Sequence, residues 1–366
     1  MSLPIVSIII PTKNRCALLA ETLESLRSQT YPHWEAVVVD DGSTDGTIER
    51  IEALAYEEKR IRLLRRERPP AGGNTCRNEG VLHSKGALVM FLDSDDLLAP
   101  FCLAQRVEAM QNNPDLDFAI FPMRVFRQTP GDTPFLWNTD TEENDIDRFL
   151  SIDPPWSVAC PIWRRQVLTK LGVWNESIPC WQDAVYHLEV LAKGLVYKRF
   201  HTPDCFYRLP AAAHDSVASK FNSPGYLSGQ ETAVVLMHGL LVKHRQLTPE
   251  RKRRLAGLWF DLAMRWQRNC RSSHDAFRAW HMAREMKSSN RREYWKGKFF
   301  LWLSNPRITL RGSWRLRNFF EVGFRNRYPA FRRSTTVYGA QMNAAREQTT
   351  ELIVNGLKES RSQEQS

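Results

Sequence analysis

The sequence lacks the signatures of two common nucleotide-binding folds and of a membrane span. It has no GxxxxGKS or GxxxxGKT segment and no GxGxxG after its first predicted strand, which excludes a P-loop and a dinucleotide fingerprint. No apolar run approaches the about 18 residues of a span, and the nearest, residues 232–242, contains His238. The opening MSLPIVSIIIP has no basic segment and is interrupted by Pro11, so we expect no signal peptide. These absences predict a cytoplasmic protein, or one bound peripherally to the cytoplasmic face of a membrane.

Cysteine is also sparse, and its spacing excludes a zinc or disulfide framework. The seven cysteines form no CxxC pair and no Cys/His zinc spacing, so we expect them to be reduced and mostly buried. Only 18 Gly and 20 Pro accompany 42% hydrophobic residues, a composition typical of a folded globular protein. At roughly 150 residues per domain, the chain has room for two domains.

Negative charge is scarce only in the last third of the chain. Residues 1–240 contain 24 Lys and Arg against 31 Asp and Glu, whereas residues 241–366 contain 27 against 10. The net charge of +10 therefore belongs to the C-terminal part. Such a region faces an anionic partner or is simply a solvated helical surface.

Short β-branched runs alternate with helical periodicity over the first hundred residues, as in a parallel sheet with crossover helices. Strands are predicted at residues 6–10, 36–40, 61–64 and 87–92, the first ending at Pro11, and helices at 18–29, after the turn at 41–46, and at 74–84. Later strands are predicted at 118–121, 158–163, 195–200 and 205–208, with helices up to about residue 110 and at 183–192. From about Tyr226 only helical periodicity remains.

Acidic residues follow two of these strands, at the edge where open α/β sheets bind ligands. Asp40 and Asp41 end the second strand, and Asp93, Asp95 and Asp96 follow the fourth. Crowded carboxylates repel one another unless a cation or solvent screens them, and oxygen ligands suit Mg²⁺ or Mn²⁺. The alternatives are that Asp95 or Asp96 caps a helix beyond Leu97, and that the first pair only forms a turn.

Four motifs occur in a fixed order: VSIIIPTKNR, VVVDDGSTDGT, GNTCRNEG and FLDSDD. In this order and spacing they resemble family 2 glycosyltransferases of the GT-A fold, and the resemblance covers roughly residues 4–215. It implies an α/β fold with a Rossmann-like mixed sheet flanked by helices. It also implies a nucleoside diphosphate sugar donor, usually UDP-linked, a Mn²⁺ or Mg²⁺ cofactor, and transfer to a glycan or lipid-linked acceptor with inversion.

The resemblance also implies roles for single residues. The nucleotide-sugar site would consist of Pro11, Thr12, Asn14, Asp41, Arg77, Asp93 and Ser94. Asp95 matches the metal ligand of the DxD motif, with Asp93 as the second ligand, while Asp40 would orient the loop. A guanidinium suits the position of Arg77 because its donor fork fits phosphate oxygens, although the residue could instead be a charge on a helix surface.

The catalytic base of this family lies in a Glu-Asp pair at the start of a helix, which corresponds here to Gln182 and Asp183. Asp183 is the implied base, or else the N-cap of the helix, while Gln182 departs from the usual Glu. Trp181 would form an apolar platform for a sugar ring, or belong to the core. His214 resembles a residue of the loop over the diphosphate, although a lone surface histidine often has no role.

The charge pattern predicts a catalytic domain at 1–225, a basic Trp- and Arg-rich helical extension at 226–345, and a polar tail at 346–366. The basic groups at 251–254 and 291–292 could form a surface for peripheral membrane contact. A solvated basic face over a tryptophan-containing core is the favoured alternative, and nucleic acid is an unlikely partner. Two other functions stay open: a non-catalytic binding protein, at which Gln182 hints, and a nucleotidyltransferase.

Overall fold

The computed structural model describes residues 3–138, 140–172, 174–209 and 220–304. Ten strands form two sheets: β1 (Val6–Thr12), β2 (Trp34–Asp40), β3 (Ile61–Arg65), β4 (Leu88–Phe91), β5 (Leu97–Leu98), β6 (Phe118–Ile120), β7 (Met123–Phe126), β8 (Pro161–Arg164), β9 (Tyr197–Arg199) and β10 (Cys205–Arg208). The large sheet has the order β3-β2-β1-β4-β8-β6-β9, and the small one the order β5-β10-β7. The predicted mixed α/β architecture is therefore confirmed.

The centre of the large sheet is parallel and buried on both faces. β1 pairs in parallel with β2 and β4, while β8 runs antiparallel to β4 and β6. The expectation that Pro11 ends β1 is wrong, because the strand continues to Thr12 opposite Asp40. Pairing with β4 stops at Ile9, so Pro11 lies where β1 has only one neighbour and a missing N–H is tolerated.

Eleven helices are assigned within the described ranges: α1 (Cys16–Arg27), α2 (Thr47–Glu57), α3 (Gly73–His83), α4 (Cys102–Asn112), α5 (Asp145–Phe149), α6 (Arg165–Leu171), α7 (Gln182–Ala192), α8 (Pro224–Lys243), α9 (Pro249–Asn269), α10 (Ser273–Glu285) and α11 (Arg291–Leu303). The predicted helical extension thus begins at α8. None of these helices combines the length and apolar character that crossing a bilayer requires. All seven cysteines are free, and five of them are buried, as predicted.

One apolar core joins the sheet to the extension. It runs from Val6 in β1 to Leu301 in α11, and includes Trp259, Trp266 and Trp280. Because the described helices share their core with the sheet, the division into domains at residue 225 stays a prediction. The expectation that tryptophans of the extension belong to a core holds for these three.

The favoured interpretation of the basic run 251–254 as a solvated face is wrong for two of its members. Arg251 and Arg254 are buried. Arg251 Nε contacts the carboxylate of Asp147 at 3.0 Å, and Arg254 Nη1 that of Glu143 at 2.7 Å. These acids belong to the acidic segment before and within α5, so complementary charges attach α9 to the sheet domain.

Candidate active site

The first two loops at the carboxyl edge of the sheet are joined by Asn14 and Asp40. Asn14 has a positive φ of 51°; its N–H donates to Ser43 Oγ at 2.9 Å and its Oδ1 accepts from the Thr44 N–H at 2.8 Å. Asp40 Oδ2 accepts from the N–H groups of Gly42 and Ser43 at 2.9 and 3.0 Å. These contacts fix the turn after β2, which agrees both with Asp40 orienting the loop and with its forming only a turn.

Asp41 connects these loops to the start of α3. Its N–H donates to Thr12 O at 2.9 Å, and its Oδ1 accepts from the Arg66 side chain and from the Gly72 N–H at 3.0 Å. The Thr12 hydroxyl nearby is buried without a hydrogen-bond partner. Arg66, which the sequence did not single out, balances Asp41 together with Lys13, whose Nζ lies 3.9 Å from Asp41 Oδ2.

Arg77 is a buried cation facing the acidic cluster. Its Nη2 lies 2.8 Å from Asp93 Oδ1, with 7% of the arginine side chain and 38% of the aspartate side chain exposed. Asn74 Oδ1 accepts from its Nη1, and the Trp174 ring centroid lies 5.0 Å from its guanidinium carbon. Its Nε has no hydrogen-bond partner. The alternative of a charge on a helix surface is therefore wrong.

Burial and mutual repulsion disfavour the charged forms of two carboxylates after β4. Burial and the neighbouring Asp93 raise the pKa of Asp95, while Arg15 and Arg208 oppose the shift. Burial raises the pKa of Asp96 well above its usual range, and its Oδ2 has no partner. Neither residue caps a helix, because β5 follows them, so that alternative is wrong.

Asp183 lies in the first turn of α7 and belongs to the same charge cluster. Burial raises the pKa of its carboxyl, the Ala184 N–H and Arg77 lower it, and Asp93 raises it further. A single arginine thus acts on the first acid after β4 and on the first acid of α7. Both Asp93 and Asp183 remain partly exposed, as a group that meets substrate must be.

Cys76 connects the two halves of the site. Burial and Asp41 raise the pKa of its thiol to about 12, while Arg66 and Arg77 lower it. The buried Cys76 therefore lies within the electrostatic reach of both Asp41 and Arg77. Asp41 accepts from the Gly72 N–H just before α3 at 3.0 Å, and Asp93 contacts Arg77 of α3 at 2.8 Å, so acids after β2 and after β4 both reach the start of this helix.

The remaining predicted residues lie around this cluster. Ser94 is buried between Asp93 and Asp95, and Pro11 precedes Thr12 at the end of β1. Trp181 precedes α7 with a positive φ of 57°, uncommon for a bulky residue, and its ring centroid lies 6.2 Å from that of Phe221. His214 is outside the described residues.

Arg208 is a second cation beside the acids. Its N–H donates to Asp96 Oδ1 at 3.1 Å, its Nε to Asp95 O at 3.0 Å, and its Nη2 to Glu21 Oε2 at 2.6 Å. The sequence analysis placed residue 208 at the end of a predicted strand and gave it no role in the site. No spacing within the sequence indicates that β10 returns beside β5 and delivers this arginine to the acids.

The carboxylates after β4 fit a divalent ion that is also bound by substrate phosphates better than one bound by protein side chains alone. Among the described residues, no group of three or more His, Cys, Asp or Glu side chains could hold a metal ion. Mg²⁺ is usually bound through one or two carboxylates and substrate phosphates. Asp95, whose charged form the surroundings disfavour, together with Asp93 meets that requirement.

The fold has solved counterparts among GT-A glycosyltransferases. TarS residues 1–349 from S. aureus, solved in complex with UDP-GlcNAc, matches with a TM-score of 0.52 and 16% identity, over 80% of this chain and 90% of the other. At this identity the likeness shows the fold alone. The fold is therefore of the GT-A type.

The likeness to a family comes from sequence. Residues 7–168 match the family described as glycosyl transferase family 2, so this part of the chain is similar to members of that family. TuaG of Bacillus subtilis strain 168 is 36% identical over 107 residues, 29% of this chain and 42% of TuaG. The Escherichia coli protein named UDP-Glc:alpha-D-GlcNAc-diphosphoundecaprenol beta-1,3-glucosyltransferase WfgD is 35% identical over 109 residues, 30% of this chain and 42% of WfgD. The chain thus spans about two fifths of each of these relatives.

Proposed function

We propose that this protein is a metal-dependent inverting glycosyltransferase that moves a sugar from a nucleoside diphosphate sugar to an acceptor hydroxyl. The observation that carries the proposal is the position of Arg77, which contacts Asp93 at 2.8 Å and lowers the pKa of Asp183. Arg77 thus acts on Asp93 of the DxD motif and on Asp183 at the start of α7. This arrangement suits a reaction in which the diphosphate of the donor leaves near Asp93 and the proton of the acceptor is removed near Asp183.

The donor side of the proposal rests on the loops after β1, β2 and β4. Asp41, Thr12 and Asn14 border the space for the nucleotide, and the unpartnered Thr12 hydroxyl has hydrogen-bonding capacity left for it. Mn²⁺ or Mg²⁺, held by Asp95 and Asp93 with the donor phosphates, would supply Lewis-acid neutralisation of the leaving diphosphate. Arg77 stabilises the same developing charge through its buried guanidinium.

Asp183 acts as the general base in this proposal. An acceptor hydroxyl is too weak an acid to attack unaided, so the carboxylate removes its proton as the new bond forms at the anomeric carbon. The raised pKa of Asp183 makes it a stronger base than an exposed aspartate. A single displacement from the face opposite the leaving diphosphate inverts the anomeric configuration.

The donor and acceptor classes come from the relatives. WfgD is named for UDP-Glc and a diphosphoundecaprenol acceptor, and TarS was solved with UDP-GlcNAc. We therefore propose a UDP-sugar donor and a glycan or lipid-linked acceptor, as in the biosynthesis of cell-envelope polysaccharides. A cytoplasmic enzyme, held peripherally at the membrane where such acceptors reside, fits this role.

A donor screen tests the proposal. UDP-, GDP- and dTDP-sugars are added with Mn²⁺, with Mg²⁺ or with chelator, and melting temperature and nucleoside diphosphate release are measured, since a ligand of the folded state raises the melting temperature. We expect metal-dependent stabilisation and diphosphate release with a UDP-sugar. Stabilisation without release from any donor, with or without candidate acceptors, would favour the non-catalytic binding protein. That rival is suggested by Gln182, whose Oε1 is buried without a partner.

A further inference from the structure

The extension contains a basic cleft remote in sequence from the candidate active site. Its volume is about 510 Å³, and the start of α9, the end of α10 and the start of α11 border it. Five cations line it: Lys252, Arg253, Arg284, Lys287 and Arg291. Such a concentration of like charge in one concave surface is unfavourable unless an anion offsets it.

Acidic side chains do not neutralise this cleft. Across the described part of the chain, Arg253 has an ion pair, at 3.5 Å from Glu250, and the other four cations have none. The acid that lines the cleft, Glu293, accepts a hydrogen bond from the Asn290 N–H in the capping box of α11. The cleft therefore keeps an excess of positive charge.

A buried hydroxyl adds neutral hydrogen-bonding capacity to the cleft. Ser288 lines the cleft and is only 5% exposed, yet its Oγ has no hydrogen-bond partner among the described residues. A buried hydroxyl without a partner is unfavourable, and a bound oxyanion would supply the missing acceptor. Cations together with a free hydroxyl and the N-terminal end of α11 form a set of donors that suits phosphate.

The same helix presents aromatic side chains beyond the cleft. Trp295, Phe299 and Trp302 are 55%, 48% and 47% exposed. They follow Arg291 at spacings of four, four and three residues, which places all four on one helix face. The Lys298 ammonium lies 5.1 Å from the Trp295 ring centroid. Tryptophan beside basic residues is typical of helices that lie in the membrane interface.

We propose that the cleft and this aromatic face together bind the protein to an anionic phospholipid surface. Phosphate head groups enter the cleft, and the indole rings of Trp295 and Trp302 insert at the level of the head groups. Charge complementarity selects a phospholipid over a neutral apolar partner. The inference does not depend on sugar transfer, since vesicle binding requires no donor.

Co-sedimentation of the full chain with phosphatidylcholine vesicles, with and without phosphatidylglycerol, tests the inference. Each basic residue near an anionic surface contributes a factor of about five, so the double variant Lys287→Gln/Arg291→Gln should bind about 25-fold more weakly. The matched control is Arg50→Gln/Lys59→Gln, which removes two exposed charges from the region of α2 and should bind like the wild type.

The aromatic contribution is tested in the same assay. Trp295→Ser should weaken binding, whereas Tyr56→Ser, which removes a ring that is 79% exposed on α2, should not. Melting curves establish that each variant folds. Inorganic phosphate is added to the wild type in parallel, because a free phosphate and a lipid head group share the same chemistry.

Three results would overturn the inference. The first is equal binding to vesicles with and without phosphatidylglycerol, and the second is an equal loss of vesicle binding in the cleft and control variants. The third is stabilisation by inorganic phosphate without any vesicle binding, which would assign the cleft to a soluble ligand. Diphosphate release from a UDP-sugar, measured on the same preparations, reports separately on the proposed activity.

Discussion

Replacing Asp183 by Asn is the most informative change, because it removes the proposed base while keeping its shape. The substitution leaves the start of α7 with an amide that still accepts hydrogen bonds, but it cannot take up a proton. A positioned general base contributes about 100- to 10,000-fold to a rate. We therefore expect kcat to fall by that factor, or about 3–5 kcal/mol in activation free energy, while donor affinity is unchanged.

The same substitution should lower activity but raise the stability of the protein. Folding raises the pKa of Asp183 through burial. The folded state therefore holds this proton to higher pH than the unfolded chain does, and stability is lost as pH rises through the folded pKa. At neutral pH the partly desolvated carboxylate of Asp183 destabilises the protein, and Asp183→Asn removes that penalty. Its melting temperature should exceed that of the wild type at neutral pH, and the difference should narrow on acidification.

The assay compares the wild type, Asp183→Asn and Glu189→Gln. Glu189 lies on the same helix and pairs with Lys193 at 3.0 Å, so its substitution makes the same chemical change away from the site. Donor affinity is read from melting curves and kcat from diphosphate release in the presence of acceptor. The reasoning is refuted if kcat of Asp183→Asn stays within about tenfold of the wild type, or if donor affinity falls together with it.

Three further changes probe the metal site, the core and the extension. Asp95→Asn should make donor-induced stabilisation the same with Mn²⁺ as with chelator; a persisting metal effect would place the ion elsewhere. Asp204→Asn should lower the unfolding free energy measured in urea titrations by about 3–5 kcal/mol, because it breaks the ion pair with Arg106, in which both side chains are 0% exposed. A loss under about 1 kcal/mol would mean that Arg106 finds another partner. Gly297→Ala would place a Cβ 2.5 Å from the buried Trp280 ring, and overpacking of this kind costs about 1–3 kcal/mol; an unchanged urea midpoint would show that α10 and α11 pack more loosely than described.

The sheet and the acids at its edge were predictable because each depends on short stretches of sequence. Buried parallel strands are continuous apolar runs, and a ligand site follows from which residues come after them. Asp41, Asp95 and Asp183 were therefore found from local patterns and a family resemblance. The relation of Asp93 and Asp183 to Arg77, and that of Asp41 to Cys76, needed the fold.

Long-range charge pairing could not be predicted in the same way. Arg66 opposite Asp41 and Arg208 beside Asp96 are separated from their partners by 25 and 112 residues. Arginine is common throughout this chain, and no local sequence pattern distinguishes the arginines that pair with acids of the site. For the same reason Arg251 was misjudged, because a run of basic residues on a helix resembles a solvated face until the acidic segment that it meets is known.

The helical extension also positions the proposed base, Asp183. The extension is therefore part of the site and not merely attached to the sheet. A Cβ on Gly229 of α8 would lie 2.6 Å from Pro179 and 3.6 Å from the sulfur of Cys180, so only glycine permits this approach. The Cys180 thiol in turn lies 3.4 Å from Tyr226 O on the same helix. The segment that these contacts hold leads directly into Asp183. Because the base must be placed accurately against the donor, an enzyme of this design requires α8 for catalysis as well as for stability.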